Sequence, residues 1–191
     1  MKRYLLGSLV GAVLLFGWQA VAHMGMHHHD AAYKTVPDQE NVIDMFPGIF
    51  QEEGQYIFPQ ADMKAPYAEQ AKFQKALEGK PWAQVVYHPA YKSDMGMSAL
   101  RSFVTAFVCL LIFIWILGKN PGNLWTVSLK GLALGFLMFM FVWYNNNIWM
   151  QTPWSVISGE LIDLLVGWGL CGLWLGWWLN RKGNNGINYN R

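Results

Sequence analysis

Four apolar runs constrain this chain more than any other feature of its sequence. They cover residues 4–22, 99–118, 124–144 and 156–179. Each has about the 20 residues that a helix needs to cross roughly 30 Å of hydrocarbon. Backbone polar groups inside a bilayer must be satisfied within the spanning segment, so we expect these runs to be helices. The predicted fold class is mainly α, a four-helix transmembrane bundle.

Composition agrees with a membrane protein and excludes some other classes. Charged residues make up 14% of the chain, against about 25% in soluble domains. There is no basic patch of the kind that binds nucleic acid. The two cysteines, Cys109 and Cys171, lie inside apolar runs, which favours small buried hydrophobic residues over a disulfide framework.

The positive charges that flank the runs predict their orientation. They are Lys2, Arg3, Lys119, Arg181, Lys182 and Arg191. The turn 145–153 between the third and fourth runs has no charge. Under the positive-inside rule both termini are cytoplasmic and residues 23–98 lie outside, in the periplasm if the cell has one. The predicted regions are an anchor helix (1–22), an external cap (23–98), a three-helix transmembrane region (99–180) and a cytoplasmic tail (181–191).

The first run also has the features of a secretory signal peptide. A basic "MKR" precedes an apolar stretch, and Ala20-Val21-Ala22 forms an A-x-A cleavage site. Cleavage there would make His23 the mature N-terminus. We favour an uncleaved anchor, because Gly7 and Gly11 have the G-x-x-x-G spacing of helix packing.

The external segment between the first two runs has the signals of a small α/β cap. We predict a helix over 38–46 ended by Pro47-Gly48, a strand over 55–58, a helix over 66–79 and a strand over 82–88. About 75 residues form a marginal independent core. We therefore expect the cap to depend on the spans or on a partner.

Histidine and methionine are concentrated at both ends of this segment. "HMGMHHHD" (23–30) follows the first run, and "HPAYKSDMGM" (88–97) precedes the second. Imidazole binds Cu(II) or Zn(II), and thioether with imidazole suits Cu(I), so a metal site with copper as the favoured ion is one hypothesis. The alternative is a polar collar at the membrane surface or a partner contact without metal. The candidate ligands are His23, Met26, His27, His28, His29, His88, Met95 and Met97.

Four charged residues lie inside the predicted spans, and Lys130 of the third run is close enough to an end to snorkel. Glu160 and Asp163 are three residues apart and share a face of the fourth helix, while Arg101 lies near one end of the second run. Such groups are costly in a bilayer and face protein or water. They predict either a proton or cation site or a structural pair, for instance with Arg101.

Glycine recurs at the G-x-x-x-G spacing in three of the four runs. This spacing lets helix backbones approach closely. It predicts spans that pack mostly against other helices. The residues are Gly7, Gly11, Gly131, Gly135, Gly172 and Gly176.

Three stretches carry a resemblance to a family. They are "MKRYLLGSLVGAVLLFGWQ", "GKPWAQVVYHPAYKSDMGMSALRSFV" and "WGLCGLWLGWWLNRK". The chain resembles a family of small bacterial four-span inner-membrane proteins that have no assigned activity. The resemblance implies a bacterial inner-membrane location and an uncleaved first helix, and it brings no catalytic or binding residues.

No catalytic motif is present, and this shapes the functional hypotheses. The sequence has no P-loop, no CxxC, no HExxH and no Ser/His/Asp set. We expect a non-enzymatic accessory subunit that joins other membrane-protein subunits in the lipid bilayer, for example in an energy-transducing complex. The alternative is a periplasm-facing copper or other metal-binding protein, and a weaker one is a small ion or proton conduit through Glu160 and Asp163.

Overall fold

The computed structural model describes residues 2–181 of the chain, which is mainly helical with one two-stranded sheet. Its elements in chain order are α1 (Lys2–Met24), a 3₁₀ turn (His27–Ala32), α2 (Gln39–Ile49), β1 (Gly54–Phe58), α3 (Tyr67–Ala76), β2 (Ala83–Tyr87), α4 (Met95–Leu117), α5 (Leu124–Met138), a π-helical segment (Phe139–Tyr144), α6 (Asn145–Met150) and α7 (Trp154–Asn180). The predicted tail lies outside the described residues apart from Arg181.

Four helices are long and apolar enough to cross a membrane, as in a multi-pass membrane protein. They are Lys2–Met24, Met95–Leu117, Leu124–Met150 and Trp154–Asn180. Three of the four predicted apolar runs lie within them, and the run 99–118 exceeds its helix by one residue, Gly118. Each helix extends past its run at one end or at both.

The third of these helices differs most from its prediction. It continues through the π-helical segment and α6 to Met150, so the predicted turn 145–153 is wrong and shortens to 151–153. Gln151 ends the helix in the left-handed conformation (φ 50°), and the Asn147 side-chain amide donates to the Thr152 carbonyl at 2.7 Å. The three asparagines therefore continue the helix instead of leaving it.

The chain divides into two compact units, one of residues up to Lys34 and from Asp94 onward, the other Thr35–Ser93. In the first unit α1 packs against both α4 and α7, and α5 packs against α7. Residues 23–34, which the sequence grouped with the cap, belong to this helical unit. The second compact unit begins at Thr35 and ends at Ser93.

Helices α5 and α7 approach closely through glycines on both faces. A Cβ built on Gly131 would lie 2.5 Å from the Trp168 carbonyl oxygen, and one on Gly135 would lie 2.5 Å from that of Leu164. On α7, Gly172 and Gly176 lie against the backbone of Ser128 and Leu124. Any side chain at these four positions would force the two backbones apart.

Indole hydrogen bonds join α1 to α7 in an antiparallel pair. Trp174 Nε1–H donates to the Gly7 carbonyl and Trp178 Nε1–H to the Arg3 carbonyl, both at 2.9 Å. The Arg3 guanidinium donates to the carbonyls of Trp178 and Arg181, at 2.6 and 2.7 Å. A cation at the C-terminal end of α7 is also favourable for the helix dipole.

The second unit is a small sheet with an aromatic core. β1 and β2 pair antiparallel, from Gly54 opposite Tyr87 to Phe58 opposite Ala83. Phe50 and Tyr87 are buried, with ring centroids 5.1 Å apart.

The predicted end of α2 at Pro47 is wrong, because the helix continues to Ile49 and the Phe50 N–H donates to the Phe46 carbonyl at 2.7 Å. Because the helix continues to Ile49, the Phe50 ring lies in the core of the second unit.

We expect Gly135→Leu to destabilise the helical unit by about 1–3 kcal/mol or more, because the added side chain meets the α7 backbone. The matched control is Gly17→Leu in α1, since a Cβ there meets nothing within 4 Å. Unfolding in mixed micelles measures both. Equal stability of the two variants would contradict the close contact between α5 and α7.

Candidate functional site

Asp163 lies at the centre of a polar cluster where α1 ends and α7 begins. Its carboxylate is 8% exposed on an otherwise apolar helix. His28 Nε2–H donates to Oδ1 at 2.8 Å, and His29 Nε2–H donates to Oδ2 at 2.9 Å. His23 Nε2 lies 3.7 Å from the same Oδ2. One carboxylate thus gathers three imidazoles.

The 3₁₀ turn explains why two of three consecutive histidines face Asp163. With three residues per turn, neighbouring side chains point about 120° apart, while residues i and i+3 share a direction. His27 therefore points the same way as Asp30, and its Nδ1 lies 2.9 Å from the Asp30 carboxylate. That pair is exposed, whereas His29 is 7% exposed.

Gly159 makes room for the His29 ring. A Cβ at this position would lie 2.7 Å from His29 Nδ1 and 2.8 Å from Cε1. The ring also stacks on that of His23, with centroids 4.4 Å apart, and lies tilted against that of His28, with centroids 4.3 Å apart. The glycine and the ring stack together hold His29 Nε2 against the Asp163 carboxylate.

The donor atoms of His23, His29 and Asp163 have the spacing of a metal site. All three lie within 4.8 Å of one another. Bonds of about 2.0–2.2 Å in a tetrahedral site place two ligand atoms roughly 3.4 Å apart. The distances from Asp163 Oδ2 to His29 Nε2 (2.9 Å) and to His23 Nε2 (3.7 Å) bracket that value. For these atoms to hold an ion, the side chains would have to make small movements and one Nε2 proton would have to be released.

His28 occupies a different position from the other two cluster histidines. It donates to Oδ1, whereas His23 and His29 lie against the other carboxylate oxygen, Oδ2. A hydrogen bond to the free oxygen of a ligating carboxylate orients it toward the metal. His28 Nδ1 is buried without a hydrogen-bond partner among the described residues.

A cavity of about 180 Å³ with both polar and apolar walls adjoins the cluster between the helices. His23 and Asp163 line it, together with Glu160. Its other lining residues are Leu15, Gln19, Ser102, Thr105, Ala106, Cys109, Met138, Leu164 and Trp168. The two predicted intramembrane carboxylates therefore face one cavity.

The remaining candidate ligands lie elsewhere. His88 belongs to the other unit, where its Nδ1 lies 3.2 Å from the Glu53 carboxylate. Met26, Met95 and Met97 are exposed. Asp94 accepts from the Met97 N–H at 2.9 Å and so caps the start of α4.

The suggested pairing of Asp163 with Arg101 is not what the structure shows. Within residues 2–181 the ion pairs of Asp163 are with His23, His28 and His29. The carboxylate lies one helical turn from Gly159, where the 3₁₀ turn packs, and Arg101 is exposed on α4.

Sequence reasoning considered the histidine run and Asp163 separately and missed their contact. The available signal was topological, because the predicted orientation placed both at the outer membrane surface. The direction of each histidine depends on the 3₁₀ turn, for which the sequence carries no periodic pattern.

Comparisons of the chain with models of protein families, with curated proteins and with solved structures found no match. The functional argument therefore rests on the residues and their geometry.

Proposed function

We propose that this protein is a multi-pass membrane protein that binds one divalent transition-metal ion at the histidine and aspartate cluster. The observation that supports this proposal is the convergence of two imidazole nitrogens and one carboxylate oxygen within 4.8 Å. A buried carboxylate surrounded by imidazoles is a costly arrangement that a cation would stabilise.

The chemistry of the donors selects the class of ion. Nitrogen and oxygen donors suit borderline divalent ions such as Zn(II), Cu(II), Ni(II) and Fe(II). Thioethers would be needed to favour Cu(I), and Met24 and Met95, the most exposed methionines of the two Met/His stretches, are 86% and 79% exposed. We therefore propose a divalent ion, with Cu(II) included, rather than Cu(I).

We also propose that the cluster faces the outside of a bacterial inner membrane. Helix α1 is antiparallel to α7, and the basic Lys2, Arg3 and Arg181 lie at the ends remote from the cluster. Lys119 follows α4, in the connection to α5. Under the positive-inside rule these ends are cytoplasmic. Retention of α1 is part of this proposal, since the contacts of α1 with α7 hold His23 beside Asp163.

Metal titration of the purified protein tests the site. We expect the unaltered chain to bind about one Zn(II) or Cu(II) ion, and Asp163→Asn to lose this site. In His28→Ala the affinity for the metal should be about 10–100-fold lower, because His28 orients the carboxylate. Gly159→Ala should also weaken binding, since its methyl group displaces the His29 ring.

His27→Ala is the matched control, because His27 lies in the same run but faces Asp30. It should bind the metal like the unaltered chain. Equal losses in His27→Ala and His29→Ala would indicate non-specific binding by a histidine-rich segment and contradict the proposed site.

Labelling of single introduced cysteines in intact cells tests the orientation. Met63→Cys, at an exposed position of the second unit, should react with a membrane-impermeant maleimide. Lys119→Cys should react only after lysis, because its connection is expected to be cytoplasmic. The unaltered chain, with Cys109 and Cys171, is the background control, and the reverse labelling pattern would invert the topology.

We propose, as a second candidate, that the protein is an accessory subunit of a larger inner-membrane assembly. The supporting observation is the order of the helices, in which α4 packs on α1 and α5 packs on α7. Both outer helices expose large aromatic side chains, with Trp115 at 80% and Trp125 at 69% exposure. Such faces suit lipid or the helices of a neighbour.

Native gels after gentle detergent extraction test this second candidate. We expect the chain, at its natural expression level, to migrate with other subunits at a mass well above its own 21.8 kDa. The same chain expressed alone in another host provides the reference for free protein. Migration only as a monomer or homo-oligomer from its natural membrane would contradict an accessory role.

A further inference from the structure

We propose that the metal ion keeps one coordination position open toward this cavity, where a small neutral donor molecule binds. This inference rests on the proposed metal site and adds a ligand to it. Three protein donors leave a fourth position, as in metal sites that bind an exchangeable ligand rather than in closed structural sites.

The direction of the open position follows from which residues line the cavity. His23 and Asp163 belong both to the donor set and to the cavity wall, whereas His28 and His29 do not line the cavity. The His29 ring lies instead against Gly159, and neither of these residues lines the cavity. The open position therefore faces the cavity.

His28 is the residue that could close the site instead. Its Nε2 donates to Asp163 Oδ1, whereas His23 and His29 lie against Oδ2. To become a fourth ligand it would have to release this hydrogen bond and move to the other oxygen. The observed contact thus supports an orienting role for His28 and an open fourth position.

The size and walls of the cavity define the chemical class of the ligand. Its volume of about 180 Å³ is below the roughly 300–1,000 Å³ of sites for drug-sized molecules, so the ligand has only a few heavy atoms. Gln19, Ser102 and Thr105 offer hydrogen bonds, and none of the described lining residues is Lys or Arg. The two positive charges of a divalent ion are already balanced by the Asp163 and Glu160 carboxylates, so an anionic ligand would leave the site with a net negative charge and a neutral donor is favoured.

Binding at this position is a ligand exchange. The nitrogen or oxygen lone pair of the incoming molecule replaces a coordinated water molecule, which leaves through the cavity. No electron is transferred, and the charge of the site is unchanged because both ligands are neutral.

Cobalt(II) and imidazole test this inference in the full-length protein in detergent. Co(II) takes the place of the natural ion, and its visible absorption reports changes in its coordination. We expect a saturable shift of the visible bands when imidazole is added, with the cobalt still bound after gel filtration. Absence of a shift with cobalt bound would overturn the open position, whereas absence of any bound cobalt would overturn the metal site itself.

Ala106→Leu tests whether the ligand comes from the cavity. Ala106 is buried and lines the cavity, so a larger side chain fills that space. We expect the variant to retain cobalt and to lose most of the imidazole response. Ala133→Leu, the same change at an exposed position of α5, should keep the response. A full response in both variants would contradict access through the cavity.

His28→Ala separates the open site from a closed one and remains informative if Ala106→Leu fails to fold. With an open site, the unaltered protein and His28→Ala both respond to imidazole, and the variant merely binds cobalt more weakly. If His28 is the fourth ligand, only the variant responds, because the added imidazole replaces the missing side chain. That second result would overturn the inference while leaving the metal site intact.

Discussion

The buried carboxylate of Asp163 is the group around which this end of the molecule is organised. A carboxylate on an apolar helix is expensive to desolvate unless it is paired and hydrogen-bonded. Here His28 and His29 supply the hydrogen bonds and His23 approaches the same oxygen. The 3₁₀ turn after α1 is thereby tied to α7, and the donor atoms of a candidate metal site are brought together.

The glycine contacts provide the frame for that cluster. Because Gly131 and Gly135 meet the α7 backbone directly, α5 and α7 lie closer than helices separated by side chains. The Trp174 and Trp178 hydrogen bonds fix the alignment of α1 on α7 at the far end. Since α1 and α7 are aligned along their lengths, His23 at the end of α1 lies beside Asp163 near the beginning of α7.

Much of the fold was predictable because hydrophobicity and turn chemistry are local signals. The four apolar helices and the helix–strand–helix–strand order of the cap follow from run length and from Pro and Gly positions. The errors at Pro47 and at 145–153 have one origin. In both places a helix continues past a weak stop signal. After Pro47, one more helical turn places the Phe50 side chain in the aromatic core. At residues 145–150, the backbone keeps its helical hydrogen bonds until Gln151 ends the helix.

The sequence by itself determined the membrane-spanning segments and the residue types at their ends, because both depend on composition over a short window. The candidate site was decided by tertiary structure. Asp163 and His28 are 135 positions apart, and no periodicity relates a 3₁₀ turn to a distant helix. Only the packing of α1 on α7, and the space that Gly159 leaves for an imidazole, selects His29 over His27 as a partner of the carboxylate.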